Sequence, residues 1–215
     1  MLRVGIIDSG LPASFDLPIL AAQDFTNSST TIDQLGHGTS ITKIIGSNIS
    51  VELVSARVFN DKLVCTPSQV ADAIQWLISK NVDFINMSFG LRNDRNILRN
   101  SCEQALDKKI LVVAAAPSQG EPVYPSNYNG IIRATGDARC QQGEISWLNS
   151  CQADFGGYSG KPLLGPAGAS IGCASVTASL VQLKVKYPHY NQKDLMETLI
   201  QQSTYQGTQQ KNLAR

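Results

Sequence analysis

Short apolar runs alternate with longer amphipathic stretches along most of this chain. Five runs are rich in Val and Ile and lack a polarity period of two, which predicts strands covered on both faces. These predicted strands are residues 2–8, 51–58, 82–89, 110–116 and 130–136. An apolar stripe at helical spacing predicts helices at 66–81, 92–109, 169–187 and 192–202. The alternation predicts an α/β fold built on a parallel sheet with right-handed crossovers.

Length and composition indicate one domain. With 215 residues, 42% of them hydrophobic, the chain can bury one sizeable core, so we expect a single domain over residues 1–215. The polar end, about residues 204–215, is expected to fray. Eighteen basic and seventeen acidic residues leave a net charge of +1, and no basic cluster exceeds a pair. These charges argue against nucleic acid or an anionic membrane as a partner, and oligomeric state stays open.

The cysteines and the N-terminus bear on location. The first apolar run is too short for a secretory signal, no run reaches the ~20 residues of a membrane span, and Met1 suggests an intact start. Five cysteines cannot all pair within one chain, and none forms a C-x-x-C motif. We therefore expect reduced thiols that pack as small apolar residues, and a cytoplasmic location. With two histidines and scattered cysteines, the spacing predicts no metal site, and no cofactor is indicated.

Three polar residues occupy positions suited to chemistry. Asp8 ends a predicted strand, and in open parallel sheets the active crevice lies at such ends. His37 lies between two glycines at the start of a predicted helix, and Ser170 follows a small-residue loop at the start of another. A helix N-terminus stabilises negative charge, as a serine nucleophile and an oxyanion require. Each residue also has an ordinary interpretation: an Asx turn, a surface or core histidine, and an N-cap serine.

The contexts of the three residues carry a resemblance. Asp8 in Asp-Ser-Gly, His37 in Gly-His-Gly-Thr and Ser170 in Gly-Ala-Ser follow one another in the order Asp, His, Ser. This order and these motifs resemble the subtilisin-like serine proteases. The resemblance extends from about residue 3 to residue 202, through the segments 82–90, 110–116 and 124–136. It implies that family's three-layer sandwich, a mostly parallel β-sheet flanked by helices, in a compact member without a prodomain or calcium loop.

The resemblance implies a role for each triad residue. Ser170 would attack a peptide carbonyl, His37 would take its proton and later give it to the leaving amine, and Asp8 would orient the imidazole. The glycines beside His37 would leave room for the substrate and for Ser170.

It also implies substrate contacts. The backbone of Ser88, Phe89 and Gly90 would pair with an extended substrate, as in strand addition. Ala115 and Ala116 would line the primary pocket.

The chain departs from the family pattern around the nucleophile. Where the family has a glycine and the oxyanion asparagine, this chain has Pro117 and Ser118. A serine hydroxyl donates but is shorter, so Ser118 is either a working oxyanion donor or too short to reach. Ala169 replaces the usual threonine, and Ala174 stands where the family has a proline, a change that could alter how an acyl-enzyme partitions between water and an amine.

The connecting segments are also short. The segment after His37 lacks the loop that holds calcium in many relatives, and no acidic cluster replaces it, so we expect no structural metal. Only Glu121 and Pro122 separate Gly120 from Val123, which takes the place of a glycine at the base of the primary pocket. The pocket is therefore expected to be small.

Three functions are compatible with these observations. The first is a serine endopeptidase that acts through an acyl-enzyme on one peptide or a few, such as a precursor. The second is a peptide ligase or cyclase on the same scaffold, which Ala174 favours. The third is a catalytically impaired peptide-binding module, which the change at Ser118 favours and the intact triad opposes.

Overall fold

The architecture was analysed in a computed structural model that describes residues 1–14, 18–47, 51–160 and 167–209. In these ranges one sheet contains nine strands. They are β1 (Arg3–Asp8), β2 (Ile19–Asp24), β3 (Glu52–Arg57), β4 (Phe84–Met87), β5 (Leu111–Ala115), β6 (Ile132–Asp137), β7 (Ile145–Trp147), β8 (Phe155–Tyr158) and β9 (Tyr205–Gln206). The spatial order is β2-β3-β1-β4-β5-β6-β8-β7-β9, and every neighbouring pair is parallel except β7 with β8.

Helices cover both faces of the sheet. They are α1 (His37–Gly46), α2 (Pro67–Ser79), α3 (Asn96–Asp107), α4 (Ala169–Lys186) and α5 (Gln192–Gln202). One core cluster joins α1, α4 and α5 to the sheet, and a second joins α2 and α3 to its other face. The prediction of a three-layer α/β sandwich with a mostly parallel sheet is confirmed.

Local sequence explains where the helices begin. Thr66 and Asn191 each form a capping box at the start of α2 and α5. Each accepts a hydrogen bond from a backbone N–H of the first turn, which would otherwise lack a partner.

The sequence patterns missed four strands. β2 is a half-exposed edge strand with few β-branched residues, and β7, β8 and β9 are only two to four residues long. Such segments carry too little periodicity to stand out.

The expectation of a frayed C-terminal end is wrong for residues 204–207. Tyr205 and Gln206 form β9 against Ser146 and Trp147 of β7, although the segment is polar. Residues 210–215, which were also expected to fray, lie outside the described residues.

Candidate active site

The carboxyl ends of neighbouring parallel strands bring the predicted site residues to one edge of the sheet. Asp8 is the last residue of β1, Ser88 follows β4, and Ser118 lies beyond the end of β5. Helix α1 begins at His37 and packs against α4, which begins one residue before Ser170. Asp8 therefore lies at the end of a strand, and the other residues lie on the loops and helix starts that follow β-strands.

Asp8 and His37 form a direct pair. His37 Nδ1 lies 2.7 Å from Asp8 Oδ1, and the Asp8 side chain is only 1% exposed. Ser9 donates its backbone N–H to the same oxygen at 2.7 Å, while Asp8 Oδ2 is buried without a partner among the described residues. With Nδ1 directed at a carboxylate, the favoured tautomer leaves Nε2 as the basic nitrogen.

The pKa of His37 reflects its surroundings. Burial alone would lower it, but the hydrogen bond to Asp8 and the negative charges of Asp8 and Asp33 outweigh burial and raise the pKa above 6.5. Because a general base must be neutral, His37 becomes available as a base when pH rises through this raised pKa.

Asp33 is a site residue that the sequence patterns missed. It accepts backbone N–H groups from Gly36 at 3.0 Å and Thr39 at 2.7 Å, and the Ser9 hydroxyl at 2.9 Å. Burial raises the pKa of Asp33, but its hydrogen bonds, with those from Thr39 the largest, lower the pKa overall. Asp33 lies four residues before His37, where an aspartate can accept the unpaired backbone N–H groups of a helix start, and this position was the available clue.

The glycines beside His37 allow a left-handed turn and a close approach of two backbone segments. Gly36 has a φ of 79°, in the left-handed region that favours glycine. A Cβ on Gly38 would lie 2.4 Å from the carbonyl oxygen of Gly10, in the loop after β1. This close approach brings the start of α1 against the end of β1. It explains the glycine at position 38 by backbone packing, whereas the sequence suggested that the glycine leaves room for substrate.

Ser170 lies at the start of α4, but its hydroxyl is directed at β4. Its Oγ donates to the carbonyl oxygen of Ser88 at 2.6 Å, and Ser88 Oγ donates back to the carbonyl oxygen of Ser170 at 3.0 Å. No hydrogen bond among the described residues joins Ser170 to His37. The structure thus contains a formed Asp8–His37 pair beside a serine held by another acceptor.

A buried polar network supports Ser88 and Ser170, and sequence reasoning missed it as well. Asn86 is fully buried, donates to Ser88 Oγ at 2.9 Å and accepts from Thr177 Oγ1 at 2.8 Å. Thr177 belongs to α4, so Asn86 ties the nucleophile's helix to β4. The clue was a lone amide inside an otherwise apolar strand.

Replacing Asn86 with Leu should weaken both the fold and the site. We expect a loss of about 2–4 kcal/mol in the free energy of unfolding, because two buried hydroxyls lose a shared partner. Denaturant unfolding measures this loss, with exposed Asn129→Leu as the matched control. Equal stability of the two variants would show that the network contributes nothing.

The residues after β4 offer a free strand edge. In the described part of the chain, no backbone hydrogen bond uses the N–H or C=O of Phe89 or Gly90. The Phe89 ring packs edge to face on Phe59, with ring centres 5.1 Å apart. This packing fixes the direction of the segment while leaving its backbone open for pairing.

Val123 fills the space beside Gly90. A Cβ placed on Gly90 would lie 2.4 Å from Val123 Cγ2, and backbone hydrogen bonds of 2.7 and 2.8 Å between Leu91 and Tyr124 hold the two segments together. The isopropyl group of Val123 therefore occupies the space next to the segment predicted to pair with the substrate.

The other two predicted pocket residues are nearly inaccessible. Ala115 and Ala116 are 5% and 2% exposed, and Ala116 packs with Leu148 and Ala153.

Ser118 is exposed in the turn after β5. Among the described residues its hydroxyl has no hydrogen-bond partner, so this donor is unengaged.

No group of three or more His, Cys, Asp or Glu side chains within the described ranges could hold a metal ion. The absence of a structural metal stays a prediction. No described helix is long and apolar enough to cross a membrane.

Known proteins of similar sequence include bacterial proteases. The thermostable alkaline protease of Halalkalibacterium halodurans is 26% identical over 96% of this chain and 63% of its own length. Subtilisin DY of Bacillus licheniformis is 31% identical over 61% of this chain and 54% of its own length. The chain therefore covers less than two thirds of either relative.

Solved structures share the fold. An S41 psychrophilic protease superposes with a TM-score of 0.66 at 18% identity, covering 93% of this chain and 82% of that protein. Sphericase superposes with a TM-score of 0.65 at 17% identity over the same shares. The model of the Subtilase family matches residues 2–214. Because this match spans nearly the whole sequence, the chain belongs to the subtilase family.

Proposed function

We propose that this chain is a serine endopeptidase that cleaves peptide bonds through an acyl-enzyme, with Ser170 as nucleophile, His37 as general base and acid, and Asp8 as the residue that orients His37. The observation that carries the proposal is the 2.7 Å contact between His37 Nδ1 and buried Asp8, beside the helix that presents Ser170. Family membership supports the same reaction class.

In the proposed reaction, Ser170 Oγ bonds to the peptide carbonyl carbon while its proton passes to His37 Nε2. Asp8 stabilises the imidazolium that forms. His37 then returns the proton to the amine nitrogen as the carbon–nitrogen bond breaks, which leaves an acyl-serine. Water repeats the sequence and releases the acid.

Substrate binding would also free the nucleophile. An extended peptide paired along Ser88–Gly90 needs backbone acceptors, and the Ser88 carbonyl is the acceptor that now holds the Ser170 hydroxyl. When a substrate N–H takes that carbonyl, the hydroxyl of Ser170 turns to His37. The nucleophile would then be activated only when the substrate strand is in place.

Ser118 is the proposed side-chain donor to the oxyanion, together with the backbone N–H of Ser170. Because that charge develops only in the transition state, Ser118→Ala should lower kcat by about 10² and leave KM nearly unchanged. Succinyl-Ala-Ala-Ala-p-nitroanilide is a suitable substrate, since it has no residue after the scissile bond. A change in KM alone would place Ser118 in the substrate groove, and a silent variant would leave the Ser170 N–H as the working donor.

Val123 is proposed to restrict the primary pocket to small side chains such as Ala or Ser. Val123→Gly should raise kcat/KM for cleavage after Leu or Phe by about 10–100-fold relative to cleavage after Ala. Val123→Ala is the matched intermediate and should fall between. If wild-type protein already cleaves efficiently after Phe or Tyr, the short connector opens the pocket instead.

We further propose a restricted set of substrates, such as precursor peptides. The alternative is a peptide ligase or cyclase. Ala174 favours it, because this buried residue of α4 stands where the family pattern has a proline. A second alternative is a catalytically impaired peptide-binding module. The Ser170 hydroxyl favours it, because it donates to Ser88 and not to His37.

Two measurements separate these functions. A fluorophosphonate should label wild-type protein at Ser170 and leave Ser170→Ala unlabelled. Mass analysis of a peptide library then distinguishes cleaved products, joined products and unchanged peptides.

We propose a reducing, cytoplasmic location. All five cysteines are free, and burial raises the pKa of Cys65, Cys102 and Cys173 to about 12. These thiols stay protonated at neutral pH, as small packing residues do.

A further inference from the structure

A cavity of about 450 Å³ lies beside the residue proposed as oxyanion donor. Its lining includes Ser118, Gln119, Leu148, Ala153, Thr208 and Gln209. The site described above does not use it. A cavity of this size accommodates one or two amino-acid residues.

The order of the strands places the cavity on the leaving-group side. The proposed substrate edge follows β4, Ser118 follows β5, and the cavity continues to the end of β6, on the far side of Ser118. Gly136 lines the cavity, and a Cβ on it would lie 2.7 Å from the carbonyl oxygen of Gly168, two residues before Ser170. The cavity therefore adjoins the start of the nucleophile's helix. Because the proposed acyl pocket at Val123 lies beside Gly90, on the β4 side, a peptide bound there would enter the cavity with the residues after the scissile bond.

The segment that leads to Thr208 and Gln209 is held by the fold up to Gly207. Gly207 donates its N–H to the Trp147 carbonyl at 2.8 Å and accepts from Arg139 Nη2 at 2.7 Å. Arg139 is itself ion-paired with Asp137 at 2.7 Å, and its guanidinium lies over the ring of Tyr205. These contacts anchor Gly207, the residue directly before Thr208 in the lining of the cavity.

The lining has a defined chemistry. It offers hydroxyl and amide groups from serine, threonine and glutamine side chains. Asp137 is the one carboxylate among the described lining residues, and Arg139 donates to both of its oxygens. A charged ligand would lose its hydration without gaining a free counter-charge, whereas an uncharged polar group finds partners.

We propose that this cavity binds the leaving-group side of a peptide substrate and selects an uncharged polar residue directly after the scissile bond, with Thr208 and Gln209 as specificity-determining residues. This inference rests on the proposed peptidase function and deepens it.

The test uses substrates that share one acyl part. Succinyl-Ala-Ala-Ala-X-Ala-amide, with X as Gln, Ser, Lys or Asp, reaches into the cavity, and succinyl-Ala-Ala-Ala-p-nitroanilide does not. Wild-type kcat/KM should be about tenfold higher for Gln or Ser than for Lys or Asp. In the Thr208→Ala/Gln209→Ala double variant, the ratio of kcat/KM for the Gln peptide to that for the anilide should fall about fivefold or more. Thr204→Ala, on the same segment outside the lining, should keep the wild-type ratio.

Several results would overturn the inference. Equal rates for charged and uncharged peptides, or an unchanged ratio in the double variant, would remove the cavity from substrate selection. An equal loss of kcat/KM on the Gln peptide and on the anilide would show that the double variant acts by disturbing the fold.

Titration of the same peptides into Ser170→Ala separates this inference from the proposed function. Preferred binding of the Gln peptide, weakened by Thr208→Ala/Gln209→Ala, supports the cavity assignment even without turnover. Failure of wild-type protein to react with a fluorophosphonate rejects the peptidase, whereas labelling and anilide turnover without peptide preference rejects only the cavity.

Discussion

Replacing Ser170 with Ala is expected to lower kcat by about six orders of magnitude, the loss known for the serine or histidine of subtilisin. His37→Ala should cost about as much, and the double variant little more, because each residue works only through the other. Turnover of succinyl-Ala-Ala-Ala-p-nitroanilide measures the loss.

The control for this experiment is Ser179→Ala, a half-buried serine on the same helix whose hydroxyl donates to the Ser175 carbonyl. It should keep wild-type turnover. Substantial activity in Ser170→Ala, at the same folded fraction, would reject the nucleophile assignment.

Asp8→Asn is expected to lower kcat by about 10⁴, because an amide at this position favours the wrong imidazole tautomer. It should also lower the pKa of His37 below 6.5, since the hydrogen bond and charge of Asp8 are lost while burial, which outweighs the remaining charge of Asp33, persists. The acid limb of the rate profile should move to lower pH in step. Titration of the imidazole by NMR measures the pKa, and His189→Gln assigns the signals because the chain has only two histidines.

The sign of the stability change follows from the same pKa. In wild type, the raised folded pKa means that His37 contributes stability that is fully present below pH 6.5 and is lost as pH rises through the raised value. The stability gap between wild type and Asp8→Asn should therefore be larger at pH 5 than at pH 9. Asp33→Asn should shift the pKa in the same direction by less. An unmoved pKa in Asp8→Asn would show that the pair seen in the structure does not govern His37.

The two proposed specificity elements act on opposite sides of the scissile bond. Val123 occupies the space beside Gly90, on the acyl side, while the cavity at Thr208 and Gln209 stays open on the leaving-group side. Selection by the residue after the scissile bond would let a small acyl pocket serve a narrow set of substrates. It would also give an incoming amine a binding place, so nucleophile competition assays bear directly on the ligase alternative.

The sequence alone determined the α/β class, the five central strands and the residues at their carboxyl ends. Buried parallel strands can be recognised in a sequence as continuous apolar runs. Some helix starts can be recognised by capping residues, here Thr66 and Asn191. Asp8, His37 and Ser170 were found because short motifs place them at these ends.

Only the tertiary structure decided how these residues meet. The hydrogen bonds of Asp33 with Ser9, of Asn86 with Thr177 and of Ser170 with Ser88 join segments that are far apart in the chain, so local sequence patterns do not specify these contacts. β9 shows the same limit. Its two residues are polar and have no strand periodicity. They form a strand through pairing with the edge of β7, where the guanidinium of Arg139 lies over the Tyr205 ring.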